Sequence, residues 1–329
     1  MSANAAVTGP EQLATVLDAA GPALRGLIER TERRLEEIAT SYGTELTRHS
    51  RSTLAAGGKR LRPMLLFICA GDADSTDLVR AGAAVELLHT ATLVHDDVLD
   101  RAALRRGRPT VFSSGGVGAA TATGDLLFSR AFAELTTTGD VEAVRALAFA
   151  SSALARGELI QREDAWKPDV TRERYLERCE LKTARLFEAA CRLGALLGAP
   201  GPRATDALGA FGSRIGVAFQ IFDDVLDVSG PVERTGKPRG TDLLDGTITL
   251  PLILARRRDP TLRELAVGSP QSAEEVCDRI AATGALDDAR KEAMRHVAAA
   301  KEELEALQLN GRQRRALDLV ADGVVERYS

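Results

Sequence analysis

An all-α fold is what this sequence predicts, on three observations. Aromatic residues make up only 4% of the 329-residue chain, while alanine and leucine dominate, a balance that favours helix over sheet. Leu24, Leu27, Ile28, Leu35 and Ile38 recur at the spacing that lines one helix face. One acidic word, DDVLD, occurs twice, each time set in apolar sequence of helical character. With 44% hydrophobic and 27% charged residues, the chain has ample material for a large core. Residues 1–329 are therefore read as a single all-helical domain, with about the first ten residues disordered.

From Glu11 to about Leu54 the periodicity predicts one or two amphipathic helices. The segment Gly57-Gly58-Lys59-Arg60-Leu61-Arg62-Pro63 then enters an apolar helix, with the proline in its first turn. Lys59 and Arg62 flank that N-terminus, a place suited to an anion. A nucleotide-binding P-loop is excluded there, because Arg60 follows the lysine where serine or threonine is required. Residues 113–125 carry Gly116 and Gly118 but no preceding strand, so they read as a loop entering a helix, not a dinucleotide fingerprint. A helix follows over 141–165 and carries Gly157, Glu158 and Gln161. After a break at Trp166–Asp169, a long helix runs from Thr171 to Leu197. It holds Lys182 in apolar surroundings, and a lysine so placed needs an anionic partner. The helix after Pro200–Pro202 carries Gln220 and stops at Ser229-Gly230-Pro231. Residues 229–246, rich in glycine and holding Lys237, read as a mobile loop over a charged site. The remainder is read as helix with ordinary amphipathic spacing.

The chemistry is concentrated in the two acidic words. Asp96, Asp97 and Asp100 stand at i, i+1 and i+4, and Asp223, Asp224 and Asp227 repeat that spacing. Carboxylates at i and i+4 lie on one helix face and repel each other. A divalent cation between them reverses the sign, and oxygen ligands without thiols or paired imidazoles select a hard ion such as Mg²⁺ or Mn²⁺. Mg²⁺ usually completes its shell with water and phosphate. Arg105 and Arg106 follow the first word and are natural phosphate partners. His89 lies seven residues before Asp96, two turns back, and is read as facing the carboxylates, whereas His95 is read as structural. The words alone thus point to a metal-bridged phosphate or diphosphate site.

Other classes are excluded by the bulk numbers. A net charge of −4 gives no general attraction to nucleic acid. The four cysteines show no zinc-site spacing and suit a reducing compartment. The first thirty residues lack signal-peptide order, and no apolar run approaches the roughly twenty residues that span a bilayer. The expectation is a cytoplasmic protein without stable membrane insertion.

GGKRLRP, HTATLVHDDVLDRAALRRGRPT, LKTARLF, GVAFQIFDDVLD and GKPRGTDLLDGTITLP, in this order and spacing, resemble the trans-isoprenyl diphosphate synthases, or polyprenyl synthetases, over roughly residues 50–255. The resemblance implies an isoprenoid synthase-type helical bundle, usually a homodimer, around a deep central cavity. It implies three Mg²⁺ ions, with Mn²⁺ as a substitute. Asp96, Asp100 and Asp223 would be the most direct ligands, and Asp97, Asp224 and Asp227 would act directly or through water. Arg105, Lys182 and Lys237 would hold an allylic diphosphate (geranyl, farnesyl or geranylgeranyl). Lys59, Arg62, His89 and Arg106 would hold isopentenyl diphosphate. Thr183 and Gln220 would stabilise the carbocation formed on ionisation.

Two departures bear on the outcome. Thr247 stands where chains with these motifs often carry a lysine. Ala91, five residues before Asp96, stands where short-chain members place a bulky aromatic, so the expected product is longer, roughly C30 to C50, unless Leu88, Phe128 or Phe132 closes the floor. A farnesyl or geranylgeranyl diphosphate synthase is the alternative, as is the catalytic subunit of a two-component synthase. A terpene cyclase would lack the cluster Lys59, Arg62 and Arg106, a non-catalytic subunit would lose the aspartates, and a structural helical protein would not respond to Mg²⁺ and diphosphate.

Overall fold

The computed structural model describes residues 9–55, 60–105, 107–230, 239–263 and 269–326. Lys59, Arg106 and Lys237 therefore lie outside the described residues, as do Gly57, Gly58, residues 231–238 of the glycine-rich 229–246 segment and residues 1–8 of the expected disordered end.

Helix starts are written in capping residues. Ser75, Thr110, Asp140 and Thr171 each accept a backbone N–H three residues on, at 3.1, 3.0, 2.9 and 3.1 Å. Three helices occupy the N-terminal region where one or two were expected: α1 (Gly9–Ala20), α2 (Pro22–Ala39) and α3 (Gly43–Ala55). The breaks fall at Gly21 and Gly43, both at positive φ, and Gly9 and Pro10 are already helical. Helix α4 (Leu61–Cys69) has Pro63 in its first turn. Helix α5 (Thr76–Leu99) is buried on nearly every side from Leu78 to Val94, the mark of a central helix and not a surface one. It ends on Asp100 as C-cap. Arg105 consequently lies beyond the helix, in a two-stranded hairpin, β1 (Leu104–Arg105) against β2 (Arg108–Pro109).

Residues 113–125 are helical, a correction to the expected loop. They belong to α6 (Val111–Thr136), which kinks at Gly116, where φ is 76°. Helix α7 (Val141–Asp164) follows. The expected continuous helix from Thr171 is three pieces: α8 (Arg172–Cys179), a π-helical turn over Glu180–Ala184, and α9 (Arg185–Gly198). Helix α10 (Pro202–Ser229) carries the second acidic word, and a short helix, Thr241–Leu244, stands within the segment read as loop.

Helix α5 packs along α6, and α10 packs along α9 and the later helix Ala285–Glu303. The π-helical turn sits between α7 and α10, and glycines permit the approach on both sides. A Cβ on Gly157 would stand 2.5 Å from the Lys182 backbone nitrogen, and one on Gly216 would stand 2.5 Å from Ala184 Cα. Among the described residues, no helix is long and apolar enough to cross a membrane.

Candidate active site

The two acidic words meet at one cavity of about 260 Å³. Asp96 and Asp100 come from the C-terminal end of α5, and Asp223 and Asp224 from α10. Lys182 and Thr183 enter from the π-helical turn, Gln220 from α10 and Arg105 from the hairpin. Asp242 and Asp245 also line it, from the segment after α10, together with Arg162 and Arg178. None of these four is a site residue expected from the sequence, although TDLLD repeats an acidic spacing that marks Asp242 and Asp245.

Fixed ion pairs hold the rim. Lys182 Nζ donates to Glu158 Oε2 at 2.5 Å, which supplies the anionic partner its apolar setting required. Arg162 bridges Glu158 at 2.8 Å and Asp100 at 2.5 Å, so a chain of alternating charge runs from Lys182 to the first acidic word. Glu158 is held below its ordinary range by Lys182 and Arg162, which overcome its burial.

Behind the rim lies a buried hydrogen-bond chain. The Tyr175 hydroxyl, fully buried, donates to Asp224 Oδ2 at 2.7 Å. Gln220 Nε2 donates to Asp224 Oδ1 at 2.8 Å, and Thr183 Oγ1 donates to Gln220 Oε1 at 2.7 Å. Both Asp224 oxygens are thus engaged inside the protein, and their effect is to orient Gln220 and Thr183. Asp227 does not line the cavity. Its Oδ2 accepts the Asp242 N–H at 3.2 Å, and its carbonyl accepts the Gly240 N–H at 2.9 Å, which anchors the returning chain.

Burial raises the acids of this site. Desolvation lifts Asp96 to about 6, opposed by Lys182. It lifts Asp224 to about 7 and Asp227 to about 8, with Asp242 adding repulsion to both. Six aspartates (Asp96, Asp100, Asp223, Asp224, Asp242, Asp245) face four cations (Arg105, Arg162, Arg178, Lys182) in the described lining. The uncompensated charge and the all-oxygen donor set fit a hard divalent cation. Among the described residues, no three His, Cys, Asp or Glu side chains form a ready-made metal cage. A cation here would take part of its shell from a ligand.

A second cavity, of about 320 Å³, lies beside the first and shares Arg105. His89 lines this one together with Asp97, while Asp96 lines the first. Asp97 turns the same way and accepts from Arg105 Nε at 2.7 Å. Arg48, Arg60 and Arg108 add positive charge, and Arg60 also pairs with Glu86 at 2.5 Å. Periodicity gave no signal for Arg48, but Arg60 and Arg108 stand inside quoted motifs. Arg62 lines neither cavity, and its guanidinium lies 4.6 Å from the Phe187 ring centroid. Ala91 and Leu88 are fully buried, and Phe128, 37% exposed, lies on the outside of α6.

Comparison with known proteins gives one picture. The family model described as polyprenyl synthetase matches residues 44–283. The chain is 37% identical over 317 residues to the short chain isoprenyl diphosphate synthase of Methanothermobacter thermautotrophicus, covering 92% of this chain and 97% of that one. It is 40% identical to component 2 of the heptaprenyl diphosphate synthase of Geobacillus stearothermophilus, over 73% of this chain and 76% of the relative. A solved polyprenyl synthase from Caulobacter crescentus, complexed with calcium and isoprenyl diphosphate, superposes with a TM-score of 0.88 at 32% identity, covering 98% of this chain and 99% of the other.

Proposed function

The chain belongs to the polyprenyl synthetase family and is a trans-prenyltransferase, and from that premise we propose that it condenses isopentenyl diphosphate with an allylic diphosphate in the two adjoining cavities. One observation carries the reading: acidic side chains from α5 and α10 border one cavity together with Lys182, Thr183 and Gln220.

In this reading Asp96, Asp100 and Asp223 hold magnesium. When bound, it supplies positive charge for the leaving diphosphate. Lys182 and Arg105 add fixed charge for the same oxygens, with Lys237 as a third contributor. Glu158 holds Lys182 in place at the cavity wall. Thr183 and Gln220 present dipoles toward the allylic carbocation without being nucleophiles strong enough to trap it, and their orientation is fixed through Asp224. The second cavity, with His89 and its arginines, suits the diphosphate of isopentenyl diphosphate, for which Lys59, Arg62 and Arg106 are further candidates. Arg105 borders both cavities and so stands where the two substrates would adjoin. The proton lost after condensation would pass to the released diphosphate.

We further infer a medium- to long-chain product, supported by the small side chain of Ala91 five residues before Asp96. The relatives named above include a short-chain and a heptaprenyl enzyme, so family membership alone leaves the length open. A cytoplasmic homodimer is the inferred assembly. Val117 on α6 and Phe149 and Leu159 on α7 are exposed apolar side chains that a second copy would cover. The similarity to component 2 of a two-component synthase keeps a second reading, a catalytic subunit that needs a different partner. Incubating the purified chain with labelled isopentenyl diphosphate and a panel of allylic primers tests all of this. Elongation by the chain alone to products of roughly C30 to C50 supports the proposal. A product stopping at C15 refutes the long chain, and no elongation with any primer refutes the self-sufficient synthase.

A further inference from the structure

Among the four cations of the described cavity, Arg178 alone forms no ion pair with a carboxylate. It comes from the last turn of α8 and is 5% exposed, yet it borders the cavity beside Cys179, Asp224, Asp242 and Thr247. Its hydrogen bond and its ring contact are both with neutral groups. Nη2 donates to the Ile248 carbonyl at 2.8 Å, and the guanidinium lies 5.2 Å from the Tyr175 ring centroid. The other cations of this cavity are each paired with a carboxylate: Arg105 with Asp97, Arg162 with Asp100 and Glu158, Lys182 with Glu158. Among the described residues, Arg178 forms no such pair.

A buried guanidinium with no carboxylate hydrogen-bonded to it keeps N–H donors open to an arriving anion. Asp224 feels its charge, but both Asp224 oxygens are already engaged by Tyr175 and Gln220. The guanidinium has five N–H donors in a rigid fork, and a phosphate matches that fork with two oxygens at once. The Ile248 carbonyl and the Tyr175 ring fix the plane of the fork, so little side-chain freedom is lost on binding.

We propose that Arg178 is a binding residue for the diphosphate, taking its oxygens at the wall next to Thr247. This rests on the reading of the cavity as a diphosphate site. The placement also accounts for the threonine at 247. A neutral side chain suffices on that strand of chain because the charge is delivered from α8, one residue away at Ile248. The competing role is a clamp that only ties α8 to the 247–249 segment through the Ile248 carbonyl.

The affinity for inorganic diphosphate, titrated calorimetrically at fixed magnesium, separates the two when read beside the melting temperature of the unliganded protein. Arg178→Gln keeps a donor for Ile248 but loses the charge. The expected result is affinity weakened ~10-fold or more with the melting temperature nearly unchanged, and recovery of most of the affinity when Thr247→Lys is added to the same variant. Unchanged affinity in Arg178→Gln overturns the proposal. So does a loss that tracks a lowered melting temperature and is not recovered by Thr247→Lys. If the unmodified protein fails to bind diphosphate, the diphosphate reading of the cavity falls as well. Binding by the unmodified protein with no effect of Arg178→Gln overturns the role of Arg178 alone.

Discussion

Tyr175 illustrates how far a residue outside the recognisable motifs reaches into the site. Its hydroxyl meets Asp224, Asp224 orients Gln220, and Gln220 receives the Thr183 hydroxyl. Removing the hydroxyl leaves a buried carboxylate oxygen short of a donor, at a cost of about 1–3 kcal/mol. Tyr175→Phe keeps the ring that packs in the core. Steady-state kinetics should show kcat lowered ~10-fold with KM for both substrates little changed, because substrate contacts survive while the dipoles facing the carbocation lose their alignment. Equal kcat in the variant would deny the chain of bonds any part in the reaction. The acidic words and Lys182 were legible in the sequence as charged groups in apolar surroundings, and Thr183 and Gln220 only through the family resemblance of the motifs that hold them. Tyr175 was not, since a buried tyrosine in a helix looks like any core residue until its hydroxyl partner is known. The separate faces taken by Asp96 and Asp97 were legible from the helical period, but the cavity that His89 borders was not. Residues seven apart on a helix differ by about 20° in direction, and packing around α5 decided which cavity that residue borders.

At the scale of the element, the π-helical turn is the feature that sequence periodicity missed. Apolar spacing runs on through Cys179, Leu181 and Leu186 with little sign of a widened turn. What forces attention to it is the glycine on each side. Gly157 brings α7 against the Lys182 backbone, and Gly216 brings α10 against Ala184. Gly157→Ala would place a methyl 2.5 Å from a backbone nitrogen, with no flexible side chain to give way. Overpacking of this kind costs about 1–3 kcal/mol, and the better helix propensity of alanine returns about 1. The expected net loss is at most about 2 kcal/mol by denaturant unfolding, with a larger fall in activity, because the turn that moves carries Lys182 and Thr183. An alanine variant as active as the unmodified protein would show that the close contact has no bearing on the site. The kinked α6 departs from the expected loop for a related reason. Four glycines between Gly115 and Gly124 look like a loop, but only Gly116 has positive φ, and Gly124 is small because the His95 ring lies against it.

Across the whole molecule, helices far apart in sequence concentrate negative charge at one place, and that has a consequence for stability. Asp224 and Asp227 are raised to about 7 and about 8 by burial and by Asp242, so the folded chain binds protons that the unfolded chain releases near pH 4. Stability must then fall as pH rises toward about 8. Below about 6.5 the buried His296, whose pKa burial lowers, works in the opposite direction. The clean window is therefore about pH 6.5 to 8.5. Metal-free protein should lose a few degrees of melting temperature across it, and Asp227→Asn should lose less. A melting temperature that rises with pH over this window would contradict the burial of these acids. The all-helical class was legible from composition and periodicity alone. The convergence of α5 and α10 was not, because nothing local to either helix states what it packs against; two identical acidic words embedded in apolar sequence only made a shared partner reasonable.

The central claim is that both words act on one diphosphate. The rate of prenyl elongation by Asp96→Asn, Asp223→Asn and the double variant tests it most directly. Groups that work as a unit are strongly non-additive, so each single change should lower the rate by ~100-fold or more, and the double variant should be little worse than the weaker single. Losses that multiply in the double variant, or full activity in either single one, would contradict it.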